Sequence, residues 1–144
     1  MIKHASGTFE VKLSPQTRDD EVGDPTVSRM SLDKQFHGAL EATGRGEMLA
    51  VRTATEGSAG YVAMERVAGT LDGRSGTFAL QHSGTMARGA QHLLITVVPD
   101  SGTGELAGIG GQMKINIVDG KHSYDFEYTL AGTGEESDRG GESG

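Results

Sequence analysis

The chain has 144 residues, a formal net charge of −7 and no cysteine, so we expect one domain without disulfides, thiolate metal sites or a cysteine nucleophile. Its Lys and Arg residues are scattered, which argues against binding to nucleic acid or to anionic membrane surfaces. The start of the chain lacks the apolar core of a signal peptide, and no apolar run is long enough for a transmembrane helix, so a cytoplasmic location is expected.

Apolar and polar residues alternate along most of the chain, and Gly, Asp, Ser or Pro interrupts them at short intervals, which predicts strands. We place the strands at 2–13, 27–37, 39–54, 59–71, 76–88, 91–98, 105–118 and 121–131. This pattern favours an all-β fold, a closed antiparallel barrel of eight strands formed by residues 1–131. The longest loop, 14–26, is a candidate flap over a barrel mouth. The acidic, Gly- and Ser-rich segment 132–144 is predicted to be a disordered tail.

The last two strands can be aligned from their turn. The pair Asp119-Gly120 suits a two-residue type I′ turn, in which both positions have positive φ. This register places Met113 opposite Phe126 and leaves one face of the hairpin apolar and the other polar, as a correct register should.

A second hairpin brings two polar residues together on an apolar face. Either a two-residue loop at Asp72-Gly73 or a four-residue loop keeps Glu65 within reach of His82. His82 shares its face with apolar residues of the fifth strand, and Glu65 shares its face with Tyr61. A carboxylate beside an imidazole in a dry interior can carry out acid–base catalysis, and the alternative is a buried polar pair that only fixes the register. The residues expected to line the lumen with this pair are Tyr61, Phe78, Leu80, Met86, Met113, Ile115, Tyr124 and Phe126.

Two other kinds of site are less consistent with the sequence. The residues available to bind a metal ion are His4, His37, His82, His92, His122, Glu41 and Glu65. They do not have the spacing of metal ligands on one strand or helix, so we predict neither a metal ion nor another cofactor. The glycine-rich run 102–111 leads into a strand and lacks the Gly-Lys-Ser/Thr of a phosphate loop, which argues against nucleotide binding.

Five segments of the chain resemble the bacterial domain-of-unknown-function family numbered 3224. They are YVAMERV (61–67), GTLDGRSGTF (69–78), LQHSG (80–84), SGTGELAGI (101–109) and DGKHSYDFEY (119–128). The resemblance implies membership of the allene-oxide-cyclase-like barrels, with a central cavity for an apolar ligand and frequent oligomerisation. No motif carries catalytic residues over from allene oxide cyclase itself.

Three functional hypotheses follow, and the residues alone leave open whether a reaction takes place. The first is a barrel that binds a small apolar metabolite and isomerises or cyclises it with Glu65 and His82. The second is a non-catalytic ligand-binding or stress-related barrel, and the third is a protein-interaction module that uses its outer face. A homodimer is expected from the resemblance and from Leu49, Val51 and Thr53, which share an apolar face of the third strand. The facing of that strand is open, because Gly44-Arg45-Gly46 could hold a bulge.

Overall fold

The computed structural model describes residues 1–16 and 23–130 and shows a closed antiparallel barrel with its strands in chain order. The strands are β1 (Lys3–Pro15), β2 (Ser28–Gly38), β3 (Leu40–Arg52), β4 (Ala59–Leu71), β5 (Arg74–Ala87), β6 (Ala90–Val97), β7 (Ile109–Val118) and β8 (Lys121–Leu130). Since β8 also pairs with β1, the predicted eight-stranded all-β barrel is confirmed. The predicted tail, and residues 17–22 of the predicted flap, lie outside the described residues.

The β7–β8 hairpin has the register that its turn predicts. Asp119 and Gly120 have φ values of 52° and 77°, as a type I′ turn requires, and Met113 pairs with Phe126. The apolar face of this hairpin therefore faces into the barrel, where Phe126 is fully buried.

The β4–β5 hairpin has the shorter of the two loops considered. Asp72 and Gly73 have φ values of 49° and 84°, which again form a type I′ turn. His82 consequently pairs with Ala63 in the register, and Glu65 is its diagonal neighbour on the inward face. Diagonal neighbours remain within reach of long side chains, so the predicted contact forms.

The loop before β7 differs from its prediction. The sequence pattern predicts strand from residue 105, and this is wrong, because Gly104–Leu106 forms a short 3₁₀ helix and β7 begins at Ile109. The loop folds back onto β5, where the backbone N–H of Thr77 donates to the hydroxyl of Thr103 and Leu106 is buried against the core. The alternation of apolar and polar residues within one segment does not reveal such a loop, because Leu106, the buried residue of the loop, packs onto a different strand.

Strand β3 has no bulge. Its register against β2 and β4 is continuous through Gly44 and Gly46, so inward and outward residues alternate along its whole length. Leu49 and Val51 lie on the outer face of the barrel and are exposed. The face that carries these two residues is therefore on the outside, as the homodimer expectation requires.

The two ends of the barrel differ in packing. We call the end with the β2–β3 and β4–β5 turns the closed half, and the end with the β3–β4 and β5–β6 turns the open half. Buried residues of the closed half form a continuous hydrophobic core that includes Phe36, Leu40, Leu71, Phe78, Leu106, Phe126 and Tyr128. Within the described residues, no helix is long and apolar enough to cross a membrane.

Candidate functional site

A buried cluster of three charged or titratable side chains lies between the two halves. One carboxylate oxygen of Glu65, Oε1, accepts hydrogen bonds from Nζ of Lys34 at 3.2 Å and from Nε2 of His82 at 2.8 Å. These three residues are the buried polar or charged residues of the described chain, and Glu65 is only 1% exposed. We refer to them as the Lys34–Glu65–His82 cluster.

Glycine in β3 makes this cluster possible. Lys34 on β2 and Glu65 on β4 are not on adjacent strands, because β3 lies between them. Lys34 pairs with Gly44 and Glu65 pairs with Gly46, so β3 has no side chain at either position. A Cβ atom on Gly44 would lie 2.0 Å from Oε2 of Glu65. The carboxylate thus occupies space that any larger residue at position 44 would fill.

The electrostatics of the cluster keep Glu65 ionised. Burial raises the pKa of Glu65, but the hydrogen bond from His82 and the charge of Lys34 outweigh this effect, so its pKa lies below the ordinary value. A carboxylate can only accept, so Nε2 of His82 carries the proton in this pair. The other carboxylate oxygen, Oε2, is buried without a hydrogen-bond partner among the described residues.

The open half contains a cavity of about 420 Å³ above this cluster. Its wall is largely apolar, and its lining residues are Val11, Leu13, Leu32, Lys34, Met48, Ala50, Arg52, Ala59, Gly60, Tyr61, Gly84, Thr85, Met86, Gln91, His92 and Leu93. Of the cluster, Lys34 lines the cavity, whereas Glu65 and His82 lie behind it. The volume is within the range of pockets that hold small ligands, about 300–1,000 Å³.

Lys34 and Tyr61 are the polar groups closest to the base of the cavity. The ammonium of Lys34 lies 5.2 Å from the ring centre of Phe9 and 5.7 Å from that of Phe36, so cation–π attraction supports it beside Glu65. The ring of Tyr61 lies 6.5 Å from that of His82, centre to centre. Burial and the charge of Glu65 raise the pKa of the Tyr61 hydroxyl, so it is a neutral hydrogen-bonding group at neutral pH.

Comparison with known proteins identifies the family. The model of a protein family of unknown function, DUF3224, matches residues 5–128. The chain belongs to the DUF3224 family. A DUF3224 protein of unknown function from Shewanella oneidensis MR-1, with a crystal structure at 1.84 Å resolution, is similar in fold, with a TM-score of 0.83. It is 48% identical in sequence, over 90% of this chain and 98% of that one. No curated protein matches the chain.

The DUF3224 barrel brings some of the predicted site residues together and separates others. The contact between Glu65 and His82 is confirmed, and Tyr61 and Met86 line the cavity. The remaining predicted lumen residues face inward but do not line the cavity: Phe78, Leu80, Met113, Tyr124 and Phe126 belong to the core, and Ile115 packs against it. A ligand in the cavity would therefore touch two of the eight predicted lining residues.

The hydroxyl of Tyr124 bonds to backbone groups of Leu40 and His37 and not to His82. It accepts a hydrogen bond from the backbone N–H of Leu40 at 3.0 Å and lies 2.9 Å from the carbonyl oxygen of His37, to which it donates. These bonds tie β8 to the β2–β3 turn. Tyr124 thus stabilises the closed half, and sequence reasoning that grouped it with His82 did not separate these two positions along the barrel axis.

Lys34 is the site residue that the sequence reasoning missed. Leu32, Lys34 and Phe36 occupy every second position of β2. The period of two therefore already places Lys34 on the apolar, inward face. A lysine at such a position needs a buried partner or a ligand. The signal was present, but its partner lies on β4 and can be recognised only in the closed barrel.

The histidines do not assemble into a metal site. In residues 1–16 and 23–130, no group of three or more His, Cys, Asp or Glu side chains is arranged to hold a metal ion. His37 bonds to Glu10 on the outer face at 2.9 Å, and the hydrogen bond with Glu10 raises the pKa of His37. His122 packs its ring against Phe9, 5.1 Å away.

Proposed function

We propose that this DUF3224 barrel binds a small, largely apolar molecule in the cavity of its open half. The observation that carries the proposal is the cavity itself, whose wall is apolar and whose base carries one hydrogen-bonding ammonium, Lys34. Apolar walls supply affinity, and a few well-placed polar groups supply orientation. Buried side chains form a hydrophobic core in the closed half, and this cavity lies in the open half.

Small residues keep the open half unfilled. The inward-facing residues Ala50, Ala59 and Gly84 contribute little volume to the wall, whereas the closed half carries aromatic residues. The ring of Tyr61 lies over Gly84, where a Cβ atom would be 2.4 Å from the ring. Larger side chains at these positions would occupy the space that a ligand needs.

The first experiment screens for the ligand and then fills its space. Purified protein is incubated with cell extract and analysed by native mass spectrometry and thermal shift. We expect a bound small molecule that raises the melting temperature. Ala50→Phe, on the inward face of the cavity, should abolish that shift, whereas its outward neighbour Val51→Phe should retain it. Absence of any ligand, or retention of the shift in Ala50→Phe, would contradict the proposal.

A second candidate is an isomerase or cyclase that acts on the bound molecule. The observation that favours it is the Lys34–Glu65–His82 cluster at the base of the cavity, with hydrogen bonds of 3.2 and 2.8 Å. Lys34 would donate a hydrogen bond to a ligand oxygen. The Glu65–His82 pair would hold the ammonium proton of Lys34 in place or accept it during the reaction. Barrels that fold and desolvate a reactive substrate need few catalytic groups.

Substitution of the two predicted catalytic residues separates binding from catalysis. Once the ligand is known, turnover and affinity are measured in Glu65→Gln and His82→Phe. Loss of turnover with retained binding would support the enzyme. Turnover that survives both substitutions would show that these residues are structural.

The outer face supports the predicted homodimer. Leu49 pairs with Val62 across β3 and β4, and Met64 continues the row; all three are exposed apolar side chains. Such a contiguous patch is typical of protein–protein contacts. A solution mass of one chain at high concentration would contradict the dimer.

A further inference from the structure

The cavity wall has an uneven distribution of charge. Its lining residues include the cationic side chains of Lys34 and Arg52 and, among the described residues, no Asp or Glu. This is notable in a chain with 20 acidic and 13 Lys or Arg residues. A wall lined by one sign of charge favours ligands of the opposite sign.

Of the two cations that line the cavity, Arg52 has no ion-pair partner among the described residues. It continues the inward-facing series of Met48 and Ala50 on β3 and reaches the rim of the cavity, where it is exposed. It forms no ion pair or side-chain hydrogen bond with the described residues, in contrast to Arg45 on the same strand, which pairs with Asp33 at 3.1 Å. Its guanidinium is therefore available to an anion.

Lys34, by contrast, is already neutralised. Glu65 lies 3.2 Å from its ammonium, so a ligand anion placed at Lys34 would lie close to a second carboxylate in a buried site. Like charges at short range in a poorly solvated site are unfavourable. The base of the cavity suits an apolar or neutral polar group, and the rim suits the charged end.

We infer that the ligand is an apolar carboxylate that inserts its hydrocarbon part into the cavity and places its carboxylate at the rim against Arg52. This rests on the proposed ligand-binding function and adds the chemical class of the ligand. Tyr61, two positions from the register partner of Arg52, lies on the same inward face and forms part of the cavity wall that would contact the hydrocarbon part. Arg binds carboxylates through paired N–H donors, and the rim position leaves the charge partly hydrated.

The test compares an acid with the matching alcohol. Decanoate and decanol are titrated at pH 7.5 against protein that carries the neutral fluorescent probe 1-N-phenylnaphthylamine. Decanol is the more apolar compound, so a cavity without a cation would prefer it. We expect decanoate to bind about tenfold more tightly, the effect of one charge-assisted contact. High salt should weaken this preference.

Two variants locate the charged end. Arg52→Gln should weaken decanoate binding about tenfold and leave decanol binding unchanged. The control Arg45→Gln removes a positive charge from the outward face of the same strand and should retain the preference for the acid. Melting temperatures of both variants show whether the fold is intact.

The outcomes distinguish this inference from the function on which it rests. Equal binding of acid and alcohol, or preference for the acid that persists in Arg52→Gln, would overturn the inference and leave ligand binding in place. Failure of the probe, the acid and the alcohol to bind would overturn the proposed function as well. Preference for the acid that is lost in Arg52→Gln and kept in Arg45→Gln supports the inference.

Discussion

The closed and open halves of this barrel share the same alternation of inward and outward residues but differ in what occupies their interior. In the closed half, the rings of Phe78, Phe126 and Tyr128 stack with centres 5.6 and 5.4 Å apart within the buried core. In the open half, small residues and half-buried Tyr61 surround a cavity of about 420 Å³. The comparison shows that inward-facing positions define a barrel interior, while side-chain volume decides whether that interior is a core or a pocket.

The buried polar cluster marks the boundary between the halves. Below it, apolar packing stabilises the fold, and above it, apolar surface remains available to a ligand. Glu65 is at the centre of this boundary, because Lys34 and His82 both bond to it. The proposed function and the stability of the fold therefore involve the same side chains, so experiments on them need controls from each half.

The largest expected effect comes from truncation in the closed half. Phe126→Ala should lower the free energy of unfolding by about 3–5 kcal/mol, because it removes a fully buried ring and leaves a cavity. Met48→Ala in the open half should cost less than about 1 kcal/mol, because Met48 is half-buried and already borders empty space. Urea denaturation measures both. Equal losses would show that the two halves are packed alike.

Substitution in the Lys34–Glu65–His82 cluster should lower the free energy of unfolding by nearly as much. Glu65→Gln should lower the free energy of unfolding by about 3 kcal/mol, because it leaves the buried ammonium of Lys34 without its counter-charge. Glu47→Gln breaks an ion pair of 2.6 Å with Arg29 on the outer face and should leave stability close to that of the unchanged protein. If the free energy of unfolding fell as little in Glu65→Gln as in Glu47→Gln, water would have to reach the cluster.

The pH dependence of stability should report on the same carboxylate. Because the folded-state pKa of Glu65 lies below its unfolded value, its stabilisation is fully present above about pH 4.3–4.5 and is lost as pH falls through the folded pKa. The difference in free energy of unfolding between the unchanged protein and Glu65→Gln should therefore be constant near neutral pH and shrink in acid. A difference that grows in acid would reverse the assigned direction of the pKa change.

The smallest effects concern two tyrosine hydroxyls, one in each half. Tyr124→Phe should cost about 1–2 kcal/mol, because it leaves the buried N–H of Leu40 without an acceptor. Tyr61→Phe should leave stability almost unchanged, because its hydroxyl has no hydrogen-bond partner among the described residues and lines the cavity. Thermal or urea unfolding distinguishes them. A larger loss for Tyr61→Phe would indicate that the open half is held together by polar contacts.

Local patterns predicted much of the fold and part of the site. The Asp-Gly turns at 72–73 and 119–120 gave workable registers, because such turns need positive φ and therefore define which residues pair. With the register known, the period of two placed Glu65 and His82 on the same inward face. Their contact was predictable since both residues lie on one hairpin, where only local geometry matters.

Contacts that skip a strand were not predictable in this way. Lys34 reaches Glu65 across Gly44 of β3, and Leu106 enters the core from a loop that folds onto β5. Neither contact lies within one hairpin. Both depend on how three or more elements are arranged, and the sequence pattern of a single segment carries no record of that arrangement.

The sequence by itself determined the approximate position of most strands, the turn at 119–120 and the inward face of Glu65 and His82, because each of these follows from the backbone and the side-chain period of a short segment. The tertiary structure alone decided which inward residues fill the barrel and which surround a cavity. Closure of the sheet sets the depth of each side chain along the barrel axis, and only at a given depth do bulky rings meet one another, as at Phe126, or face the small residues near Gly84.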